Sequence, residues 1–277
     1  MDYQKAYECF KKASNNGYKY ANNNLGFLYL NGLGTERNYK EAFNRLTTTS
    51  GSDKYLINIL KLINSGSKVI YLNNISEFRE DCLNENDIVI IKSQDRINYN
   101  DYYTVKMIRE IFKVINNIIN DVNLQDAEIN RFIEIYVKLA KYLSYDKEAY
   151  NKKEYTEYVL EKATTSRNLI GLLTGNCICT GYADILFNVL SCVNIESKIL
   201  TSIDHSFNKV KINNKWYYCD LTLDSKNIVD NKLQYCLLSK KEFEDELSHI
   251  AFDDFDELGN SDISYFNVNE LYNSKIK

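Results

Sequence analysis

The sequence predicts an α+β fold preceded by an N-terminal α-helical repeat segment, on three observations. Two stretches carry apolar residues at helical spacing: Ile108, Ile111, Phe112, Ile115, Ile118, Ile119 and Val122, then Ile129, Phe132, Ile133, Tyr136, Ala140 and Leu143. Further on, strand-like runs at Lys198–Thr201, Phe207–Ile212 and Lys215–Asp220 follow a helical pattern that starts at Cys179. Near the N-terminus, Tyr3, Ala6, Phe10 and Ala13 recur 36 positions later as Tyr39, Ala42, Leu46 and Thr49.

That recurrence spans residues 3–51 and reads as short antiparallel helices with glycines at turns and close contacts. Between the copies, Ala21, Leu25, Gly26, Tyr29, Gly32 and Gly34 lead into Tyr39 and Ala42, and this spacing resembles the Sel-one-like repeat. The likeness covers about one and a half repeats, whereas such units need about three to bury a continuous core. The segment is either a docking surface for a partner or a helical buttress for the next domain. A third helix is expected at Lys54–Asn64. Short strands are expected at Lys68–Leu72 and Asp87–Lys92, with a helix near Ser76–Leu83 between them as a small βαβ piece. We therefore divide the chain into a repeat segment at 1–65, a connecting α/β region at 66–125 and a C-terminal domain at 126–277.

Composition narrows the function classes. Apolar residues make up 44% and charged residues 26%, ordinary for a globular chain. No apolar run approaches the roughly 20 residues that span a bilayer, and the N-terminus lacks a signal pattern, so the expectation is cytoplasmic with no membrane partner. The formal charge of −4 and the lack of a dense Lys/Arg run argue against nucleic acid. Seven cysteines form no secreted disulfide framework and fit a reducing compartment. Proline is absent, and the abundance of Asn, Lys, Ile and Tyr points to an A/T-rich coding sequence.

The chemistry concentrates at 175–224. Cys179 stands where a helix begins, with Ala183, Leu186, Phe187 and Leu190 on one face behind it. First-turn N–H groups and the positive end of the helix dipole stabilise a thiolate there, and the same N–H groups suit an oxyanion. A hairpin is expected through Asn213-Asn214, residues that tolerate the positive φ of a two-residue turn. If Ile212 pairs with Lys215, His205 falls opposite Thr222 and diagonal to Asp220 on one face. Diagonal partners lie about 7–8 Å apart, within reach of an imidazole–carboxylate bond. A slip of one residue puts them on opposite faces.

Taken together, Cys179-Thr180-Gly181-Tyr182-Ala183, His205-Ser206-Phe207-Asn208 and Trp216-Tyr217-Tyr218-Cys219-Asp220-Leu221-Thr222-Leu223-Asp224 resemble the bacterial transglutaminase-like superfamily over about 126–245. The resemblance implies a papain-like α+β core, with a helix carrying Cys packed on an antiparallel sheet carrying His and Asp. It also implies Cys179 as nucleophile, His205 as general base and acid, and Asp220 as the orienting carboxylate. Three positions depart from the family pattern: Cys177 replaces a glycine, and Phe207 and Leu223 replace tryptophans. Asn208 is expected to fix a backbone or the histidine loop, and Trp216 to pack behind the site. Asp224 reads as a turn or strand-end group, and Cys177, Cys192, Cys219, Cys236 and His249 as structural. Cys177-x-Cys179 lacks the ligand spacing of a zinc site and no second pair follows, so no metal or organic cofactor is expected.

The function expected from this pattern is cysteine-dependent acyl transfer on an amide of a protein or peptide substrate. Water as acceptor gives proteolysis or deamidation, towards which we lean; an amine gives cross-linking. The alternative is a catalytically silent scaffold whose helical repeat binds a protein partner.

Overall fold

The computed structural model describes residues 2–48, 54–92, 100–150, 166–202, 205–228 and 233–246. It is a mixed α+β structure whose described residues form two compact units. One spans Met1–Asn73 and Phe78–Arg109; the other spans Asn74–Glu77, Glu110–Tyr150 and the described residues from 166 onward. No helix among the described residues is long and apolar enough to cross a membrane.

The first unit opens with α1 (Tyr3–Asn15), α2 (Ala21–Asn31) and α3 (Tyr39–Thr47). Two of their starts follow from side-chain caps: Asp2 accepts the N–H of Lys5 at 3.1 Å, and Asn38 accepts that of Glu41 at 3.0 Å. Helix α4 (Lys54–Asn64) comes next, as the sequence predicts. A three-stranded sheet then forms from β1 (Val69–Leu72), β2 (Ile88–Lys92) and β3 (Asn100–Thr104), with β1 parallel and β3 antiparallel to the central β2. Leu30, Ala42, Leu46, Ile59, Leu60, Ile88, Ile90 and Tyr102 close into one core. Each large apolar side chain buried there contributes roughly 1.5–3 kcal/mol, so helix α4 and the sheet supply the cover that one and a half repeats cannot supply alone.

The helix expected at Ser76–Leu83 does not form, and Ile75–Glu77 makes a single 3₁₀ turn instead. The side chain of Asn74 takes the N–H and the hydroxyl of Ser76, at 3.1 and 2.6 Å, and the N–H of Ile75 goes to Asn188 Oδ1 at 2.9 Å. These local bonds satisfy the backbone without a helix, and Cys82 at φ 64° stops one from propagating. Strand β3 is absent from the sequence expectation because it opens on Asn100-Asp101, residues depleted in strands.

The apolar stripes become α5 (Val105–Ile119) and α6 (Glu128–Tyr142), and all six residues of the second stripe are buried. The second unit continues through β4 (Ser144–Tyr145), α7 (Lys147–Tyr150), α8 (Gly171–Thr174), β5 (Asn176–Cys177) and α9 (Cys179–Ser191). An antiparallel sheet comes after it, in the order β6 (Ser197–Thr201), β7 (Ser206–Ile212) and β8 (Lys215–Cys219). Helices α10 (Leu221–Asn227) and α11 (Lys240–Glu246) end the described chain.

Strand β7 is buried on both faces. Asn208 Nδ2 donates to the carbonyl of Ala183 at 2.9 Å, which ties one face to α9. On the other face Phe207 packs against Phe243 of α11, ring centroids 4.8 Å apart. The helix carrying Cys179 is thus packed on an antiparallel sheet, as the sequence predicts. The hairpin register is also the expected one, Ile212 opposite Lys215, with φ 50° and 63° at Asn213 and Asn214.

Gly34 has φ +64°, and a Cβ there would lie 2.1 Å from the carbonyl oxygen of Tyr3. Gly17 has φ +86° with no atom within 4 Å of such a Cβ. We expect Gly17→Ala to cost about 1 kcal/mol from backbone strain alone and Gly34→Ala clearly more. Equal shifts of the urea midpoint would show that the close approach of Tyr3 contributes nothing.

Candidate active site

Cys179 is the first residue of α9 and is 6% exposed. The residue before it, Ile178, has no side chain able to accept a first-turn N–H. His205 and the N–H groups of Ser206 and Thr180 lie near enough to the sulfur to draw its pKa down. Sequence reading finds the helix start and the imidazole but misses the amide of Ser206, since a backbone donor has no residue signature.

The segment that delivers Cys179 is braced from below. Asp146 accepts the N–H of Ala149 at 3.0 Å and the hydroxyl of Ser166 at 2.8 Å, while its own N–H goes to the carbonyl of Cys177 at 2.9 Å. The Ser166 carbonyl in turn accepts the N–H of Ile178 at 2.9 Å. A Cβ at residue 181 would meet that carbonyl oxygen at 2.3 Å, so Gly181 is what lets the chain pass this close. Cys177 is fully buried in the space left by Gly171 and Gly181, whose added Cβ atoms would lie 3.2 and 2.7 Å from its own. The Cys177 side chain is therefore accommodated under the helix start.

His205 leads into β7 and Asp220 comes directly after β8, so the hairpin register brings them together. Nε2 of His205 lies 2.5 Å from Oδ2 of Asp220, which leaves Nδ1 for the thiol. The other carboxylate oxygen of Asp220 accepts the N–H of Leu223 at 3.1 Å and caps α10. Asp220 is wholly buried, whereas the His205 side chain keeps 14% of its surface exposed. The ring of Phe207 stacks beside His205, centroids 6.3 Å apart and 22° between planes.

Two thiols two residues apart isolate what the imidazole does. Burial pushes the Cys177 thiol well up, with the charges of Asp146 and Cys179 adding to the shift. Burial also raises Cys179, but the hydrogen bond and charge of His205 and the N–H groups of Ser206 and Thr180 outweigh it, and its pKa falls below the ordinary value. For His205, burial favours the neutral ring, yet the bonds to Asp220 and Cys179 push its pKa up to about 10. His205 is thus an imidazolium at neutral pH, and the Cys179 thiol ionises below its ordinary range. The contribution to folding from the raised His205 is fully present below about 6.5 and is lost as pH rises through about 10. Only a few per cent of a free thiol is ionised at pH 7. Each unit of lowering towards ambient pH gains about tenfold in thiolate and loses about threefold in intrinsic nucleophilicity, a net gain.

Among the other sequence candidates, Asp224 lies in α10, fully buried, and binds Tyr136, Gln234 and Tyr235 in place of His205. Burial raises its pKa to about 6 against the pull of those donors. Asn208 fixes the Ala183 backbone. Trp216 does not pack behind the site: it pairs with Lys211 at the turn end of the hairpin, about 13 Å along the strand from Asp220, with three lysine amines 5.3–5.7 Å from its ring. Leu223 joins the cluster of Phe207, Tyr218 and Phe243. Cys219 and Cys236 are buried, Cys192 is half-buried and all seven thiols are free. His249 lies outside the described residues. Among the described residues, no three His, Cys, Asp or Glu side chains gather as a metal site.

Residues 2–18 and 19–44 match the Sel1 repeat family, so the N-terminal segment carries repeats of that kind. Among solved structures, the chain is similar to one described as a TGase, at 17% identity and a TM-score of 0.38. That match covers 46% of this chain and 34% of the other, so this chain spans about a third of its length. No curated protein matches.

We expect iodoacetamide at pH 7 to label Cys179 faster than a free thiol and to leave Cys177 unlabelled until the protein is denatured, read by peptide mass spectrometry. Labelling of Cys179 that tracks the titration of a free thiol near pH 8.5 would contradict the lowered pKa.

Proposed function

We propose that the second unit is a cysteine-dependent acyl-transfer enzyme acting on amides of a protein or peptide, with Cys179, His205 and Asp220 as its triad. The observation that carries this reading is the line from a wholly buried carboxylate, 2.5 Å from an imidazole, to a thiol that the imidazole lowers in pKa despite burial. A cysteine serving only as core packing has no use for such a line, as Cys177 illustrates.

In this mechanism the thiolate attacks the amide carbon and the carbonyl electrons move to oxygen. The N–H of Cys179, a first-turn donor without an acceptor in the helix, receives that oxyanion. Collapse breaks the C–N bond, and His205 gives its proton to the departing nitrogen, leaving a thioester on Cys179. His205 then takes a proton from the acceptor as it attacks, and the thiolate leaves. Asp220 keeps Nε2 occupied throughout and so holds Nδ1 toward the sulfur. Water is the acceptor we favour, giving a carboxylic acid. Catalysis is assigned to 126–277, with 1–65 as the repeat segment and 66–125 as the connection. A cysteine lowered in pKa and seven free thiols fit a reducing compartment such as the cytoplasm.

The Sel1 repeats support a second role, recruitment of a protein partner. If the site were silent, this would be the whole function.

The test is the intact mass of the protein after incubation with denatured casein and rapid acid quench. We expect an acyl adduct on Cys179, absent from Cys179→Ala, and turnover in His205→Ala lower by about 10²–10⁴-fold. A labelled alkylamine incorporated into casein would replace water by an amine as the acceptor. No adduct and no turnover with an intact fold would leave the scaffold reading.

A further inference from the structure

We propose that Asp224 is a positioning residue for the reaction, fixing the backbone of Asp220 and, through it, the carboxylate that orients His205. This rests on the enzymatic reading above. Asp224 sits one helical turn after Asp220, and its N–H donates to the Asp220 carbonyl at 3.1 Å. Its carboxylate reaches Asp220 by a second route. Oδ1 accepts the N–H groups of Gln234 and Tyr235 at 2.7 and 3.1 Å, and the Tyr235 carbonyl accepts the N–H of Asp220 at 2.8 Å. Both backbone polar groups of Asp220 are therefore held by a structure that converges on Asp224.

The carboxylate is itself immobilised. Oδ2 accepts the hydroxyl of Tyr136 from α6 at 2.8 Å, and both residues are fully buried. The titratable groups facing it are Tyr136, Cys219 from β8, Cys236, Tyr235 and Asp220. Burial raises the pKa of every one of the first three. An apolar residue would fill this space without leaving a carboxylate in a dry cluster. What the carboxylate adds is two amide hydrogen bonds that set the level of Tyr235 against Asp220, and a bond only 2.5 Å long between Asp220 and His205 tolerates little displacement.

The experiment measures the pH at half-maximal alkylation of Cys179 in the full chain, beside a thermal melt, using iodoacetamide. Loss of packing alone lowers the melt and leaves the thiol midpoint where it was. We expect folded Asp224→Ala to raise that midpoint by about one unit, slowing alkylation about tenfold at lower pH. Asp224→Asn, whose carbonyl can still accept from Gln234 and Tyr235, should restore it. A folded Asp224→Ala with the wild-type midpoint overturns the proposal. If that variant fails to fold, Tyr136→Phe decides: a rise of about half a unit, a threefold effect, supports it and no rise overturns it. A wild-type midpoint equal to that of a free thiol is a distinct failure, sinking the enzymatic reading and this one with it.

Discussion

Two asparagines at the tip of a hairpin govern where His205 and Asp220 meet. Asn213 and Asn214 adopt φ 50° and 63°, the conformation a two-residue turn needs to match the twist of its strands. The tip is pinned further by the N–H of Asn213, which donates to Glu128 at the start of α6 at 2.8 Å. With Ile212 opposite Lys215, the far end of the hairpin presents His205 and Asp220 on one side. A shift of one residue would turn one of them away and would also move Val210 or Tyr217, both buried, to the opposite face. The register that packs the sheet is the one that builds the His205–Asp220 bond, so folding energy enforces the site geometry.

The thiol end is set by a different constraint, the crowding of backbone beneath α9. Gly181 admits the Ser166 carbonyl, Asp146 holds Ser166, and Cys177 fills the gap between two glycines. These contacts leave Cys179 at the first position of the helix, where Thr180, Ser206 and His205 converge on its sulfur. Burial opposes ionisation at both neighbouring cysteines, and only the one that meets the imidazole overcomes it. Electrostatic pairing decides the outcome at Cys179, and desolvation decides it at Cys177.

Much of this was legible in the sequence because it depends on local patterns. Turn chemistry at Asn213-Asn214 gave the register, helical periodicity gave α5 and α6, and the Cys179-Thr180-Gly181 start placed the helix. What stayed hidden depends on distant partners. Tyr136 and Asp224 are 88 positions apart, and nothing in either neighbourhood announces their bond. Ser206 contributes only a backbone N–H to the sulfur. The 3₁₀ turn at Ile75–Glu77 owes its form partly to Asn188, 113 positions away from Ile75. Trp216 stands close to Asp220 in sequence, but an extended strand carries it to the opposite end of the hairpin.

The central claim is that His205 is charged at neutral pH because it is held between the Asp220 carboxylate and the Cys179 sulfur. The direct measurement is the ¹⁵N chemical shift of the His205 ring nitrogens as a function of pH. The account predicts that both ring nitrogens carry protons at pH 7, that the ring loses its charge only near pH 10, and that the midpoint drops in Cys179→Ala. A midpoint near 6.5, unchanged by that substitution, would contradict it.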